Sequence, residues 1–180
     1  MIKTLQISEK EAWDLAFNAL VNNNTSEDNA KEVADALISA EFDGQAGHGL
    51  SRIPSYVEQL TAGKVKGTEA PSIISSKGSV IRVDAKNGFA YPAISLALKE
   101  ITTTCKKFGI AAASITRSHH FGQAGRHVEI LADNGLIGLM FGNTPKAIPP
   151  WGGTKALFGT NPIAFSAPRE NDAPMVIDMS

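Results

Sequence analysis

The chain has 180 residues, of which 43% are hydrophobic and 19% charged, a balance that supports a packed core and excludes a disordered chain. The formal net charge of −1 gives no basic excess, so the composition predicts no nucleic-acid partner. We expect neither a membrane span nor a signal peptide, because apolar runs are short throughout. The single cysteine, Cys105, allows no internal disulfide, which favours a cytoplasmic protein.

The N-terminal part of the sequence carries the signals of three helices. Ser8 followed by Glu11 is typical of a capping box and predicts a helix to about residue 21. A second helix is expected from near Ser26, because apolar residues then recur at helical spacing. A third is predicted over residues 51–61, ending at Gly63.

Strand and helix patterns alternate through the rest of the chain. Residues 110–115 and 136–141 are rich in apolar side chains and are typical of buried strands. We expect an α/β fold in which residues 1–70 form an N-terminal helical segment and residues 71–180 an α/β region. Because a strand-like pattern closes the chain, we also expect a fragment that is incomplete at its C-terminal end. The predicted strands cover residues 73–76, 80–83, 110–115, 136–141, 163–167 and 175–177, and the predicted helices residues 92–107 and 122–133.

A first cluster of reactive side chains lies in a glycine-rich segment around His48. Arg52 follows four residues later and Tyr56 four residues after that, so a helix starting here would carry all three on one face. Arginine can bind a carboxylate through two N–H groups, and a histidine can donate a proton to a carbonyl or an imine. The alternative interpretation is an ordinary helix start with a solvated arginine and a capping histidine.

A second cluster, His119-His120-Phe121-Gly122, lies between a predicted strand and a predicted helix. Loops in this position bind ligands in many α/β proteins, and a helix N-terminus offers N–H groups to a phosphate. Adjacent histidines rarely both reach one metal ion, and the spacing from His120 to His127 matches no standard zinc motif, so we expect no metal site. His127, on the following helix, is expected to be a packing or surface residue.

A third cluster is a long loop region rich in glycine and proline, in which Asn143, Thr144, Thr160 and Asn161 offer neutral hydrogen bonds to a polar ligand. Trp151 in the same region is expected to pack. The chain contains neither Gly-x-Gly-x-x-Gly nor a P-loop, so a dinucleotide would bind to a fold other than the Rossmann fold.

Five motifs stand in order along the chain: Asp43-Gly-x-x-Gly-His-Gly-Leu-Ser-Arg-Ile-Pro-x-Tyr, Ser118-His-His-Phe-Gly, Phe141-Gly-Asn-Thr-Pro, Trp151-Gly-Gly and Gly159-Thr-Asn-Pro-Ile-Ala. Together they resemble the malate/L-lactate dehydrogenase family. This is a non-Rossmann superfamily of L-2-hydroxyacid dehydrogenases that also contains ureidoglycolate and sulfolactate dehydrogenases and the reductases of Δ1-pyrroline-2-carboxylate and Δ1-piperideine-2-carboxylate.

The resemblance implies hydride transfer between NAD or NADP and C2 of a small 2-oxo or 2-hydroxy carboxylic acid, in a homodimer. It implies catalytic roles for His48 and His120, without deciding which of the two exchanges the proton. It also implies substrate contacts from Arg52, Tyr56 and Thr160. The implied cofactor-binding residues are His120, Phe121, Gly122, Gln123, Ala124, Asp178, Met179 and Ser180.

Two departures from the family pattern bear on the function. Gly47 stands where many members have serine, which favours the cyclic imino-acid reductases slightly. Family members are also longer, so an acidic relay partner and part of the cofactor pocket would lie after Ser180. Three hypotheses follow: a dehydrogenase of linear 2-hydroxy acids, a reductase of cyclic 2-imino acids, and a non-catalytic fragment of such an enzyme.

Overall fold

The chain begins with two helices that pack against each other. In the computed structural model, which describes residues 6–179, α1 (Glu9–Val21) starts at the predicted capping box. The Ser8 hydroxyl accepts the Glu11 N–H, and the Glu11 carboxylate accepts the Ser8 N–H at 2.8 Å. α2 (Glu27–Phe42) follows, and the apolar spacing seen in the sequence places Val33 and Leu37 in the core. Both helix predictions are confirmed.

Two short 3₁₀ turns, Ala46–His48 and Leu50–Arg52, lead into α3 (Ile53–Thr61). The predicted third helix is therefore confirmed, with its first residues wound more tightly than an α-helix. Tyr56 on α3 enters the same core as α1 and α2. This packing fixes the end of the turns that carry the first reactive cluster.

A three-stranded sheet completes the first of two compact units, which divide after Gly122. β1 (Ser72–Lys77) and β2 (Val80–Asp84) form the predicted antiparallel hairpin. α4 (Ala90–Phe108) then crosses to β3 (Ala112–Thr116), which pairs parallel to β2. Apolar side chains of β2 and α4 form a second core. The boundary expected at residue 70 falls between α3 and β1, inside this unit.

The second unit is an antiparallel sheet with one helix. α5 (Ala124–Asp133) precedes β4 (Gly138–Phe141), β5 (Ile163–Arg169) and β6 (Asp172–Met179), which pair in that order. The fully buried Ser166 hydroxyl on β5 donates to the Val128 carbonyl of α5 at 2.5 Å. Of the residues described, no helix is both long and apolar enough to cross a membrane.

The prediction of two buried strands is wrong, because β3 and β4 are edge strands of two different sheets. Their side chains alternate between partly covered and exposed, as an edge strand with one packed face requires. Phe141 is 71% exposed. The expectation that Trp151 packs is also wrong, since its side chain is fully exposed.

Candidate active site

The turn that carries His48 and Arg52 is held from behind by Glu41 at the end of α2. The Glu41 carboxylate accepts the Leu50 backbone N–H at 2.6 Å. A side chain at Gly49 would occupy the space of that carboxylate, so the contact requires glycine at this position. The glycine-rich sequence therefore allows an acidic side chain to pin the backbone between His48 and Arg52.

Arg52 is fixed within the same turn. Its Nε–H donates to the Gly47 carbonyl at 2.5 Å, and this bond uses one of the five guanidinium N–H donors. A guanidinium held by its Nε keeps a planar fork that suits a carboxylate. The structure thus places a cation suited to anion binding on the first unit, close enough to His120 to act on its titration.

His120 lies over α3 and against His48. Its Nδ1 is 2.7 Å from the Tyr56 hydroxyl, and the His48 and His120 rings stack with centroids 5.8 Å apart and planes 13° apart. Burial lowers the pKa of His120 to about 4, and the nearby Arg52 charge acts in the same direction. The imidazole is therefore neutral at physiological pH.

The loop that presents His120 is tied to the hairpin by an ion pair. Arg117 donates to the Asp84 carboxylate at the end of β2, and this hydrogen bond holds the Asp84 pKa down at about 2. The His119 N–H donates to the Gly88 carbonyl at 3.1 Å. These bonds fix both ends of the short path from β3 to His120.

His119 packs on the other side of Tyr56. Its Nε2–H donates to the Gln59 side-chain carbonyl at 2.7 Å, and its ring meets the Tyr56 ring edge-on at 5.2 Å. Burial lowers its pKa to about 4, with Lys64 adding to the shift. The bond to α3 gives His119 a structural role next to His120.

Tyr56 occupies a different position from the one expected. We expected its hydroxyl to contact substrate, but Tyr56 is only 1% exposed and its hydroxyl lies within hydrogen-bond distance of Tyr91 and His120. A buried hydroxyl surrounded by protein partners has no face left for a ligand. Tyr56 therefore supports His120 from beneath.

The other expected site residues lie in the second unit. The Thr160 hydroxyl is 3.3 Å from that of Thr144, and Asn161 accepts the Thr144 N–H at 3.0 Å. Asp178 accepts the Gly125 N–H at 2.7 Å, at the start of α5. Ser180 lies outside the described residues.

The residues expected to bind NAD or NADP fit one part of such a molecule better than another. The His120 and Phe121 rings stack at 6.2 Å and 18°, and flat aromatic faces suit a nicotinamide ring. At the start of α5, by contrast, the carboxylate of Asp178 already accepts the Gly125 N–H. The expected phosphate contact at this N–H is thus replaced by an acidic side chain of the chain itself.

Sequence reasoning missed several residues of the site. Tyr91 contacts Tyr56 across 35 positions of sequence, and Glu41 reaches Leu50 from another helix. No local pattern marks such contacts. A weak signal was available for Asp84 and Arg117, since they stand at the ends of two paired strands and carry opposite charges.

Among residues 6–179, no group of three or more His, Cys, Asp or Glu side chains could hold a metal ion.

The packing of Glu41 against Gly49 gives a direct test of the turn. We expect Gly49→Ala to displace the Glu41 carboxylate from the Leu50 N–H and to lower the free energy of unfolding by about 0.5–1.5 kcal/mol, the net value of one hydrogen bond. Gly47→Ala is the matched control, because a Cβ there meets nothing within 4 Å. Chemical denaturation of both variants measures the difference, and equal stability of the two would contradict the role of Glu41.

The half-buried side chains of His119 and His120 predict a stability that depends on pH. Their pKa values of about 4 lie below the ordinary value of 6.5, so the unfolded chain binds more protons between pH 6.5 and 4. We expect the free energy of unfolding to fall as the pH drops through this window, by at most about 1.4 kcal/mol per pH unit for each histidine. Denaturation at several pH values should show a flatter profile for the double variant His119→Gln/His120→Gln. An unchanged slope in that variant would exclude both groups as its source.

The comparisons with known proteins extend over nearly the whole chain. The family model for malate/L-lactate dehydrogenase matches residues 7–180. The chain is 47% identical over 174 residues to (2R)-3-sulfolactate dehydrogenase (NADP(+)) of Chromohalobacter salexigens, a match that covers 97% of this chain and 52% of that protein. It is 37% identical over 177 residues to the Δ1-pyrroline-2-carboxylate/Δ1-piperideine-2-carboxylate reductase of Pseudomonas syringae pv. tomato, covering 98% and 52% of the two chains.

Solved structures of similar proteins match the fold of this chain over nearly its whole length. The crystal structure of Δ1-piperideine-2-carboxylate reductase from P. syringae matches with a TM-score of 0.91 at 38% identity, over 98% of this chain and 53% of that one. Malate dehydrogenase from Entamoeba histolytica matches with a TM-score of 0.92 at 28% identity, over 99% and 50%. The chain spans about half the length of the relatives it matches. By its sequence and its α/β fold, the chain belongs to the malate/L-lactate dehydrogenase family.

Proposed function

We propose that this chain carries the substrate-anchoring and oxygen-polarising part of an NAD(P)-dependent oxidoreductase. The reaction is hydride transfer to or from C2 of a small 2-oxo or 2-hydroxy carboxylic acid. The observation that carries the proposal is the stacked pair of His48 and His120 beside the fixed guanidinium of Arg52. Similarity to a sulfolactate dehydrogenase over 97% of the chain supports it.

Arg52 anchors the substrate in this proposal. Its Nε bond to Gly47 and the Glu41 contact at Leu50 hold the guanidinium before any ligand arrives. A site that is ordered in advance loses less entropy when the carboxylate binds. The anchored carboxylate would then orient C2 and its oxygen relative to the two imidazoles.

The two histidines act at the substrate oxygen. When bound, NAD(P)H would supply the hydride that reaches C2. The fold that binds it would be other than the Rossmann fold. The His120 and Phe121 rings would lie on the nicotinamide side, next to Gly122. The cofactor roles of Gln123, Ala124, Asp178, Met179 and Ser180 stay predictions from the sequence. The substrate contact of Thr160 likewise stays a prediction from the sequence.

A second candidate is the reduction of cyclic 2-imino acids. The run Gly47-His48-Gly49 lacks a serine before the histidine, and a Cβ at position 47 would meet nothing within 4 Å. This open space next to His48 could admit a ring. Several relatives at 32–40% identity are reductases of Δ1-pyrroline-2-carboxylate, which favours the same alternative. Homodimerisation and a cytoplasmic location remain predictions.

Turnover of defined substrates tests the proposal. The purified protein should be assayed with NADH and NADPH against pyruvate, oxaloacetate and Δ1-pyrroline-2-carboxylate, and with NADP⁺ against 3-sulfolactate. We expect turnover of at least one linear acid, since the relative at 47% identity acts on 3-sulfolactate. Turnover of the cyclic imine alone would support the second candidate. No turnover of any of these would contradict both enzyme proposals and leave the non-catalytic fragment.

The role of Arg52 has its own test. We expect Arg52→Ala to raise KM for the carboxylate substrate by about 30- to 1000-fold, equivalent to ~2–4 kcal/mol for a lost charge partner. Arg82→Ala is the matched control, because it removes an exposed arginine on β2 that has no place in the site. Steady-state kinetics measure both. An unchanged KM in Arg52→Ala would exclude Arg52 as the anchor.

A further inference from the structure

We propose that Tyr56 and Tyr91 are positioning residues that fix the tautomer of His120, with the proton on Nε2 and the lone pair on Nδ1. No motif of the sequence points to Tyr91 for this role. The tautomer follows from hydrogen bonds within the first unit. Its use at a substrate oxygen rests on the proposed function, whereas the tautomer itself does not.

The backbone of Gly122 shows which nitrogen of His120 holds the proton, and the shorter bond from the Tyr56 hydroxyl is the stronger contact that stabilises this tautomer. The Gly122 N–H points at Nδ1 of His120 at 3.3 Å and donates to it. A backbone N–H can only donate, so Nδ1 must offer its lone pair. In a neutral imidazole the proton then belongs to Nε2.

The same lone pair sets the direction of the hydrogen bonds below it. The Tyr56 hydroxyl, 2.7 Å from Nδ1, must donate its only proton to His120. The Tyr91 hydroxyl, 2.9 Å from that of Tyr56, must therefore donate to the Tyr56 oxygen. The chain of donors runs from Tyr91 through Tyr56 to His120.

Burial keeps the Tyr56 hydroxyl protonated and holds both tyrosines in place. Tyr56 and Tyr91 are 1% and 2% exposed, and burial raises the pKa of Tyr56 well above its ordinary range. Gly122 has φ +68, and a Cβ there would collide with the Tyr91 hydroxyl. Glycine at position 122 thus allows Tyr91 to pack closely while its own N–H reaches His120.

The charged and titratable groups around His120 oppose a second proton on the ring. They are Arg52 and His48 from the 3₁₀ turns and His119 from its own loop, and the Tyr56 hydroxyl also occupies the lone pair on Nδ1. His120 therefore acts as a neutral donor through Nε2–H, which can polarise a carbonyl or imine. In the direction of oxidation, Nε2 has no lone pair to take the hydroxyl proton. A neutral His48 would take that proton, and oxidised nicotinamide, when bound, would accept the hydride from C2.

The tautomer can be measured without turnover. Long-range ¹H–¹⁵N correlation spectra of the histidine-labelled protein near neutral pH distinguish the two neutral tautomers and imidazolium, with His120 assigned from the signals lost in His120→Gln. We expect the Nε2–H form in the wild type, a mixture in Tyr56→Phe, and a smaller change of the same kind in Tyr91→Phe. Ser95→Ala is the control, because it removes a hydroxyl hydrogen bond from the same helix as Tyr91 without touching His120.

Three results would overturn the proposal: an Nδ1–H tautomer in the wild type, an imidazolium near neutral pH, or an unchanged tautomer in Tyr56→Phe. If Tyr56→Phe fails to fold, the wild-type tautomer and Tyr91→Phe still decide. In an active enzyme we expect Tyr56→Phe to lower kcat about tenfold with little change in KM, as loss of one hydrogen bond would. The expected tautomer without turnover of any tested acid would refute the proposed function and leave the positioning role intact.

Discussion

The hydrogen bond between the Tyr56 hydroxyl and Nδ1 of His120 joins two parts of the first unit that are 64 residues apart in sequence. Tyr56 can make this bond because α1, α2 and α3 bury its ring in a common core. His120 can reach it because the Asp84–Arg117 ion pair holds the loop after β3 against the hairpin. The helical part and the sheet of this unit therefore both contact the loop that carries the His120 imidazole.

The electrostatics around that imidazole favour an anionic ligand. Arg52, His48 and His119 lie close to His120 and lower its pKa. Burial also lowers the pKa of His119 itself. A carboxylate that binds Arg52 would offset this positive potential and satisfy the guanidinium at the same time.

Local patterns in the sequence were sufficient to predict the helices and most strands. The capping box at Ser8, the apolar spacing of α2 and the helix predicted over residues 92–107 depend on neighbours in sequence, and each is confirmed. The edge positions of β3 and β4 were not predictable, because an apolar run does not reveal whether a strand lies at the edge or in the middle of a sheet. The reactive pair of His48 and Arg52 was found from its motif. Tyr91 was not, since its contacts depend on how α3 and α4 pack.

The two units differ in how much of a site they offer by themselves. The first brings His48, Arg52 and His120 together on a preformed scaffold. In the second, Asp178 occupies the start of α5, and Thr144, Thr160 and Asn161 bond to one another. The substrate acid should therefore bind on the first unit, through its carboxylate and with its C2 oxygen toward His120.

A crystal structure of the protein with pyruvate, which is inert without reduced cofactor, tests this claim most directly. We expect the carboxylate within hydrogen-bond distance of the Arg52 guanidinium and the keto oxygen within hydrogen-bond distance of Nε2 of His120. A carboxylate bound away from Arg52, or a keto oxygen that contacts neither His120 nor His48, would contradict the account.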